Sequence, residues 1–170
     1  MKKKCKDVLL FQAITTNDPL LFDDLEKLLS RFYGKIEGEF GPFEFSSFSQ
    51  YYREEMGEKL LKKFYIFQKP VSLENFYRFK LESQAIENKY SIDGKRNVNI
   101  DPGSLTLYQL SLLTTKAFSH RTYLAEGIYA ECTLIAEGNN YAPLPWTYPD
   151  YKTQKALEYF SQAKKYLKTI

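Results

Sequence analysis

His120 is the only histidine in a chain of 170 residues, and imidazole is the one ordinary side chain that changes charge near neutral pH. It is the natural candidate for moving a proton, and Arg121 beside it offers a fork of donors suited to phosphate or carboxylate. Glu131 falls inside an apolar run, Ile128 to Ala136, on the same side as Tyr129 and Thr133. A carboxylate in such a run is buried and paired, exposed on an open sheet face, or part of a site. With Asp101 and Lys116 these residues make one candidate cluster. Arg121 and Lys116 would neutralise an anion, His120 would hydrogen-bond it or move a proton, and Glu131 with Asp101 would orient these groups or hold a divalent cation. A structural His-Arg pair accounts for the same residues without catalysis.

Two further clusters carry polar chemistry. Tyr51-Tyr52-Arg53-Glu54-Glu55-Met56-Gly57 reads as a hairpin tip, where Glu55 and Tyr52 are placed to hold a cation or a polar ligand. A plain turn with a charged rim explains it equally well. Lys80 and Glu87 are seven residues apart, on the same side of a helix but about 10 Å apart along its axis. That separation predicts no direct ion pair. The two bracket a ligand lying across the helix, or they solvate an exposed face.

Several mechanisms are excluded outright. The chain has no Gly-x-x-x-x-Gly-Lys-Ser/Thr phosphate loop, no Gly-x-Gly-x-x-Gly, no Gly-x-Ser-x-Gly and no His-Glu-x-x-His. One histidine cannot serve two-histidine phosphoester chemistry. Cys5 and Cys132 are the only cysteines and spell neither a zinc site nor a disulfide framework. Neither a metal nor a cofactor is assigned. Aromatic residues on an open sheet would suit stacking of RNA bases, but no Arg/Lys-Gly-Phe strand motif supports it.

Composition sets the frame for these clusters. The chain is 44% hydrophobic and 26% charged, with 14 Tyr, 13 Phe and one Trp, enough for one folded domain without staples. Its net charge of +3 divides unevenly. Lys2, Lys3, Lys4 and Lys6 begin the chain and Lys152, Lys155, Lys164, Lys165 and Lys168 close it, while Asp7 to Asp150 holds 15 basic and 20 acidic residues. Basicity thus belongs to the termini, and the body is acidic. The apolar stretch Val8 to Phe11 is too short for an export signal, and no run reaches the roughly 18 residues of a membrane-spanning helix. A cytoplasmic protein with no membrane contact is predicted, as one domain over 7–170 preceded by a basic tail, 1–6.

The elements that must position the clusters follow from periodicity. Asp7 to Ile14 reads as a central strand covered on both faces. A helix follows from Pro19, capped by Asp18, with Leu21, Leu25, Leu28 and Phe32 inward and Gly34 at its end. Phe43 to Tyr52 and Glu58 to Gln68 read as a long hairpin. A second helix after Ser72 buries an aromatic stripe of Phe76, Phe79, Ile86 and Tyr90. Strands follow at Arg96 to Ile100, Leu105 to Thr115, Arg121 to Ala125 and Ile128 to Ala136, with turns at Asp101-Pro102-Gly103 and around Glu126-Gly127 and Glu137 to Asn140. Pro143 and Pro145 confine Tyr141 to Tyr148 to an edge or loop. A last helix spans Lys152 to Lys168. The fold class is α+β: an antiparallel-rich sheet with a ferredoxin-like βαββαβ core, extra C-terminal strands and a C-terminal helix. The helices are expected mainly on one face, leaving the other open.

Tyr51-Tyr52 through Glu55-Met56-Gly57, Lys80 to Glu87, Asn99 to Gly103, Thr115-Lys116, His120-Arg121, Gly127 to Glu131 with Thr133-Leu134, and Trp146 to Tyr151 together resemble an uncharacterised bacterial domain-of-unknown-function family. The resemblance covers almost the whole chain. Members are often labelled "GTP-binding protein", but this chain has no Asn-Lys-x-Asp guanine reader, and Thr115-Lys116 does not replace one. The resemblance implies a bacterial, cytoplasmic, single-domain protein and supplies no catalytic residues. The function expected is binding of an anionic metabolite or nucleotide, with or without catalysis. The alternative is a non-catalytic protein- or RNA-interaction module using exposed aromatics and the Lys-rich termini. The oligomeric state is not written in the sequence.

Overall fold

The computed structural model describes residues 8–170; the basic segment 1–6 and Cys5 lie outside the described residues. β1 (Leu9–Thr16) is buried along its whole length, as its nearly unbroken apolar run requires. After it come α1 (Leu21–Tyr33), β2 (Ile36–Glu44), the single-turn α2 (Arg53–Met56), β3 (Leu61–Phe67), α3 (Arg78–Lys89) and β4 (Val98–Leu105). β5 (Gln109–Thr114), β6 (Arg121–Ala125), β7 (Ile128–Glu137), β8 (Asn140–Pro143) and α4 (Gln154–Leu167) complete the chain. The strands form one antiparallel sheet in the order β2-β3-β1-β4-β5-β7-β6, with β8 also on β7. Its first four strands have the order of a ferredoxin-like split βαβ unit, and β5 to β8 extend that core.

The helices cover both faces, not one. Leu10 and Ile14 of β1 pack with Phe22, Leu25, Leu29 and Tyr33 of α1 and with Ile86 of α3. Leu9, Phe11 and Ala13, on the opposite face, pack with Ala156, Phe160 and Ala163 of α4. The physical reason is β1 itself: apolar side chains at successive positions point to opposite faces, and each face needs cover.

Local details depart from periodicity in instructive ways. The buried stripe of α1 is shifted by one position, so Phe32 is 64% exposed while Phe22, Leu29 and Tyr33 are inside. Asp18 does not cap the helix proper; its Oδ1 accepts from Leu20 N–H in the turn before it. The first hairpin strand lies earlier than Phe43 to Tyr52, at β2, an edge strand whose alternating Glu37, Gly38 and Glu39 give little apolar signal. The Tyr51 to Gly57 segment lies in the loop joining the antiparallel pair β2 and β3, folded there as a turn and a helical turn in place of a tight tip. The β6–β7 turn is tight: Glu126 and Gly127 both have positive φ, 51° and 77°, as the mirror-image two-residue turn demands.

Candidate functional site

The sheet comes apart at β4. This strand pairs with β1 from Leu105 back to Val98, but with β5 only at Gly103, Ser104 and Leu105. Asp101-Pro102-Gly103 is therefore strand, not the turn its composition predicts. Backbone N–H groups alternate sides along a strand, and Ile100 sends its N–H away from β1, so the nitrogen of Pro102, two residues on, faces the unpaired side where no donor is needed. At Gly103 a Cβ would come within 2.5 Å of the Ser111 carbonyl oxygen; only glycine lets β5 approach there. Beyond that point the strands part, and a cavity of about 440 Å³ opens between them.

α3 repairs the unpaired edge of β4 with side chains. Ile100 N–H donates to Glu87 Oε1 (2.6 Å), and Lys80 Nζ donates to the Ile100 carbonyl (2.7 Å) and to Asp101 Oδ1 (3.0 Å). The expected stripe is in place, with Phe76 and Ile86 buried and Phe79 and Tyr90 packed at the margin of the core, and beside it the buried face of α3 also carries Lys80, Ser83 and Glu87. Lys80 Nζ also lies 3.8 Å from Glu87 Oε1. The axial separation of seven residues is real, but two long side chains converging on one peptide group close it. Burial pushes the Glu87 carboxyl above its usual range, against the pull of Lys80. Asp101 is pushed up by burial too, but the Lys80 and Lys62 charges, with hydrogen bonds from Lys80 and Asn99, overcome that and hold it below its usual range.

The cavity floor is a row across one sheet face. Lys62 on β3 stands opposite Thr15 on β1, and Thr15 opposite Asn99 on β4. On the extension, Glu131 of β7 stands opposite Leu112 of β5 and Arg121 of β6. Lys62 Nζ is 2.7 Å from Asp150 Oδ2, and the two side chains are only 6% and 2% exposed. A single helical turn, Pro149–Lys152, brings Asp150 and Tyr151 into place. Lys62 Nζ also sits 4.4 Å above the Phe45 ring. At the rim Arg96 grips Glu55 through two bonds of 2.7 Å; the hydrogen bond from Arg96 holds the Glu55 carboxyl low, against its partial burial. Arg96 also donates to Asn99 Oδ1 and lies over Tyr52, whose phenol is raised chiefly by burial and then by Asp101.

Glu131 is held from one side only. Its Oε2 accepts Arg121 Nε–H (2.7 Å) and lies 3.0 Å from His120 Nε2, while Oε1 has no hydrogen-bond partner among the described residues. The residue lines the cavity and is 1% exposed. Arg121 also donates to the Lys116 carbonyl and to Tyr148 Oη, and burial pushes the Tyr148 phenol up to about 12. The hydroxyls of Tyr151, a cavity residue, and of Thr15 in the floor row are likewise buried without partners. His120 does not line the cavity. It stands behind Glu131, stacked on Trp146 with ring centroids 4.9 Å apart.

Of the residues singled out from the sequence, Tyr52, Lys80, Glu87, Asp101, Lys116, Arg121 and Glu131 all line this one cavity, with Glu55 at its rim and His120 behind it. Among the described residues no group of three or more His, Cys, Asp or Glu side chains is placed to hold a metal. Asp101 and Glu131 serve as partners to neighbouring cations. Lys62, Arg96, Asn99 and Asp150 were not among the residues singled out for chemistry, although Asn99 and Asp150 fall within the motifs that carry the family resemblance. Lys62 sits in an aromatic strand and Asp150 next to a proline-rich edge, 88 positions away; a lysine inside an otherwise apolar run was the one available signal.

Fold and site together define a class: an α+β domain with a ferredoxin-like core, extended by strands that part from it to leave a charge-lined cavity. The family model described as "Domain of unknown function (DUF4416)" matches residues 6–166, and the chain belongs to that family. No curated protein and no solved structure matches the chain.

Proposed function

We propose that the cavity binds an anionic metabolite or nucleotide, and that ligand binding at this split in the sheet is what the protein does. The observation that carries it is the pair of buried, unpartnered polar atoms in the cavity residues, Glu131 Oε1 and Tyr151 Oη. A dry carboxylate oxygen or phenol without a partner costs about 1–3 kcal/mol, a cost that a ligand's hydrogen bonds offset. Lys116, whose Nζ rests 3.6 Å from the Tyr51 ring and has no acid partner among the described residues, would take the acidic group, with the remaining donors of Arg121. Glu131 is the group placed to accept a proton from such a ligand, and His120 would act through it as a positioning residue. On the family likeness we take the setting to be the bacterial cytoplasm; no described helix is long and apolar enough to cross a membrane.

The test is a panel of anions and nucleotides scored by the shift in melting temperature. A hit should lose about ten- to a hundredfold in affinity on Arg121→Ala, the range expected for a hydrogen bond to a charged group. A best hit that Arg121→Ala binds unchanged would place the ligand elsewhere. The competing proposal, a protein- or RNA-docking module, draws on the exposed Phe118, Tyr123 and Tyr148 around β6. Purified protein carrying nucleic acid that salt removes would favour it.

A further inference from the structure

We infer that the ligand carries a nitrogen-bound hydrogen alongside a single acidic group, and that the cavity excludes polyphosphates. This rests on the ligand-binding proposal above and narrows it. Five cationic side chains line the cavity against four carboxylates. Four of the cations are already matched: Lys62 by Asp150, Lys80 by Asp101, Arg96 by Glu55 at the rim and Arg121 by Glu131, and the remaining lining carboxylate, Glu87, is shared by Lys80 and Arg96 at 3.8 and 3.9 Å. Among the described residues that leaves one lining cation without an acid in contact, Lys116, enough for one acidic group.

A nucleoside triphosphate would bring several negative charges into a wall whose cations are spoken for. It would also set phosphate oxygens against the carboxylates, a desolvated repulsion that nothing in the cavity offsets. The unpartnered Oε1 of Glu131 sharpens the requirement. A carboxylate oxygen only accepts, so the group that meets it must donate: an amine, an exocyclic amino group or a ring N–H. A ligand without one leaves that oxygen as bare as it is in the empty cavity.

The geometry around Glu131 makes the inference testable by inversion. Arg121 Nε–H can only donate, and it points at the inner oxygen of Glu131 at 2.7 Å. In Glu131→Gln the side-chain amide must keep its oxygen toward Arg121, which turns its NH₂ outward to where Oε1 stood. The position then donates where it had accepted.

Two sources supply the required chemistry, amino acids and aminated nucleoside monophosphates, and matched pairs separate them. AMP is compared with purine riboside 5′-monophosphate, which lacks the amino group, and L-phenylalanine with 3-phenylpropionate, which lacks the amine; ATP is the polyphosphate arm. In calorimetric titration the donor-bearing member of one pair should bind at least about tenfold tighter than its partner, and ATP more weakly than AMP. In Glu131→Gln, checked for native circular dichroism, the preference within that pair should reverse. Equal binding within both pairs by the unaltered protein overturns the inference without recourse to any variant. So does tighter binding of ATP than AMP. If ATP binds tighter than AMP and Arg121→Ala weakens it, the cavity proposal survives while this inference falls. If none of the five probes binds and the wider panel is also silent, both fall.

Discussion

The two flanks of β4 meet the same demand by different means. On one flank the strand lies against β1 over eight register positions, and the peptide groups satisfy each other. On the other, beyond Gly103, no strand is present and the polar atoms of Ile100 are met by Lys80 and Glu87 from α3. Strand pairing fills space as it satisfies hydrogen bonds, because neighbouring strands lie about 4.8 Å apart. Side chains reaching in from a helix satisfy the same groups while holding the strands apart. A sheet repaired in this way gains charged walls and a hollow together.

The contrast can be broken first on the paired flank. Phe11 of β1 is fully buried against Phe64, Tyr151 and Phe160. Phe11→Ala is expected to cost about 3–5 kcal/mol in denaturant-unfolding free energy. On the repaired flank the effect is smaller and has a different signature. Lys80→Met strips the Ile100 carbonyl and Asp101 of a donor and leaves Glu87 with Arg96, 3.9 Å away, as its one cationic neighbour among the described residues, at about 1–3 kcal/mol. Adding Glu87→Gln should recover part of that loss, because the buried charge is gone while the amide oxygen can still accept from Ile100 N–H. Simple additivity of the two single changes would show that the pair does not act as one unit.

The smallest effect appears in pH dependence. Asp101 is held below its ordinary value of 3.8 in the folded protein, so its contribution is fully present above that pH and is lost as acid titrates it through its lowered folded value. The stability gap between the parent protein and Asp101→Asn should be constant from neutrality to about pH 5 and close below about pH 4. Glu87 runs the other way: its raised carboxyl costs stability while charged, and acid relieves that cost as the pH falls toward its ordinary value of 4.5, above the window in which Asp101 responds and in both proteins alike. A gap that stayed open well below pH 4 would show that the Asp101 charge is not what stabilises the fold there.

How far each flank was legible follows from the same contrast. The β1 side is written in local patterns: an apolar run for the strand, a 3.6-residue recurrence for α1, a Glu-Gly pair for the β6–β7 turn. Even the slip of one position along α1 leaves the helix intact, because Leu21 and Leu28 still pack at the margin of the core. The repaired side depends on partners far apart in the chain. Asp101-Pro102-Gly103 has the composition of a turn, and what makes it strand is β1 alongside and the absence of a neighbour where Pro102 needs none. Lys80 and Glu87 look like a solvated helix face until β4 supplies the peptide that both reach for. His120, Arg121 and Glu131 stood out because imidazole, guanidinium and an acid within an apolar run are conspicuous. Lys62 and Asp150 were silent, since neither is unusual until the other is known.

The stacking of Trp146 on His120 has a practical consequence. The chain holds a single indole, and it lies against the ring that props Glu131 from behind. Any occupant that draws the Glu131 carboxylate forward, or changes the proton on that imidazole, alters the surroundings of the protein's one tryptophan. The molecule therefore carries its own optical probe one residue removed from the cavity wall, and its ultraviolet emission can follow events there with no label attached.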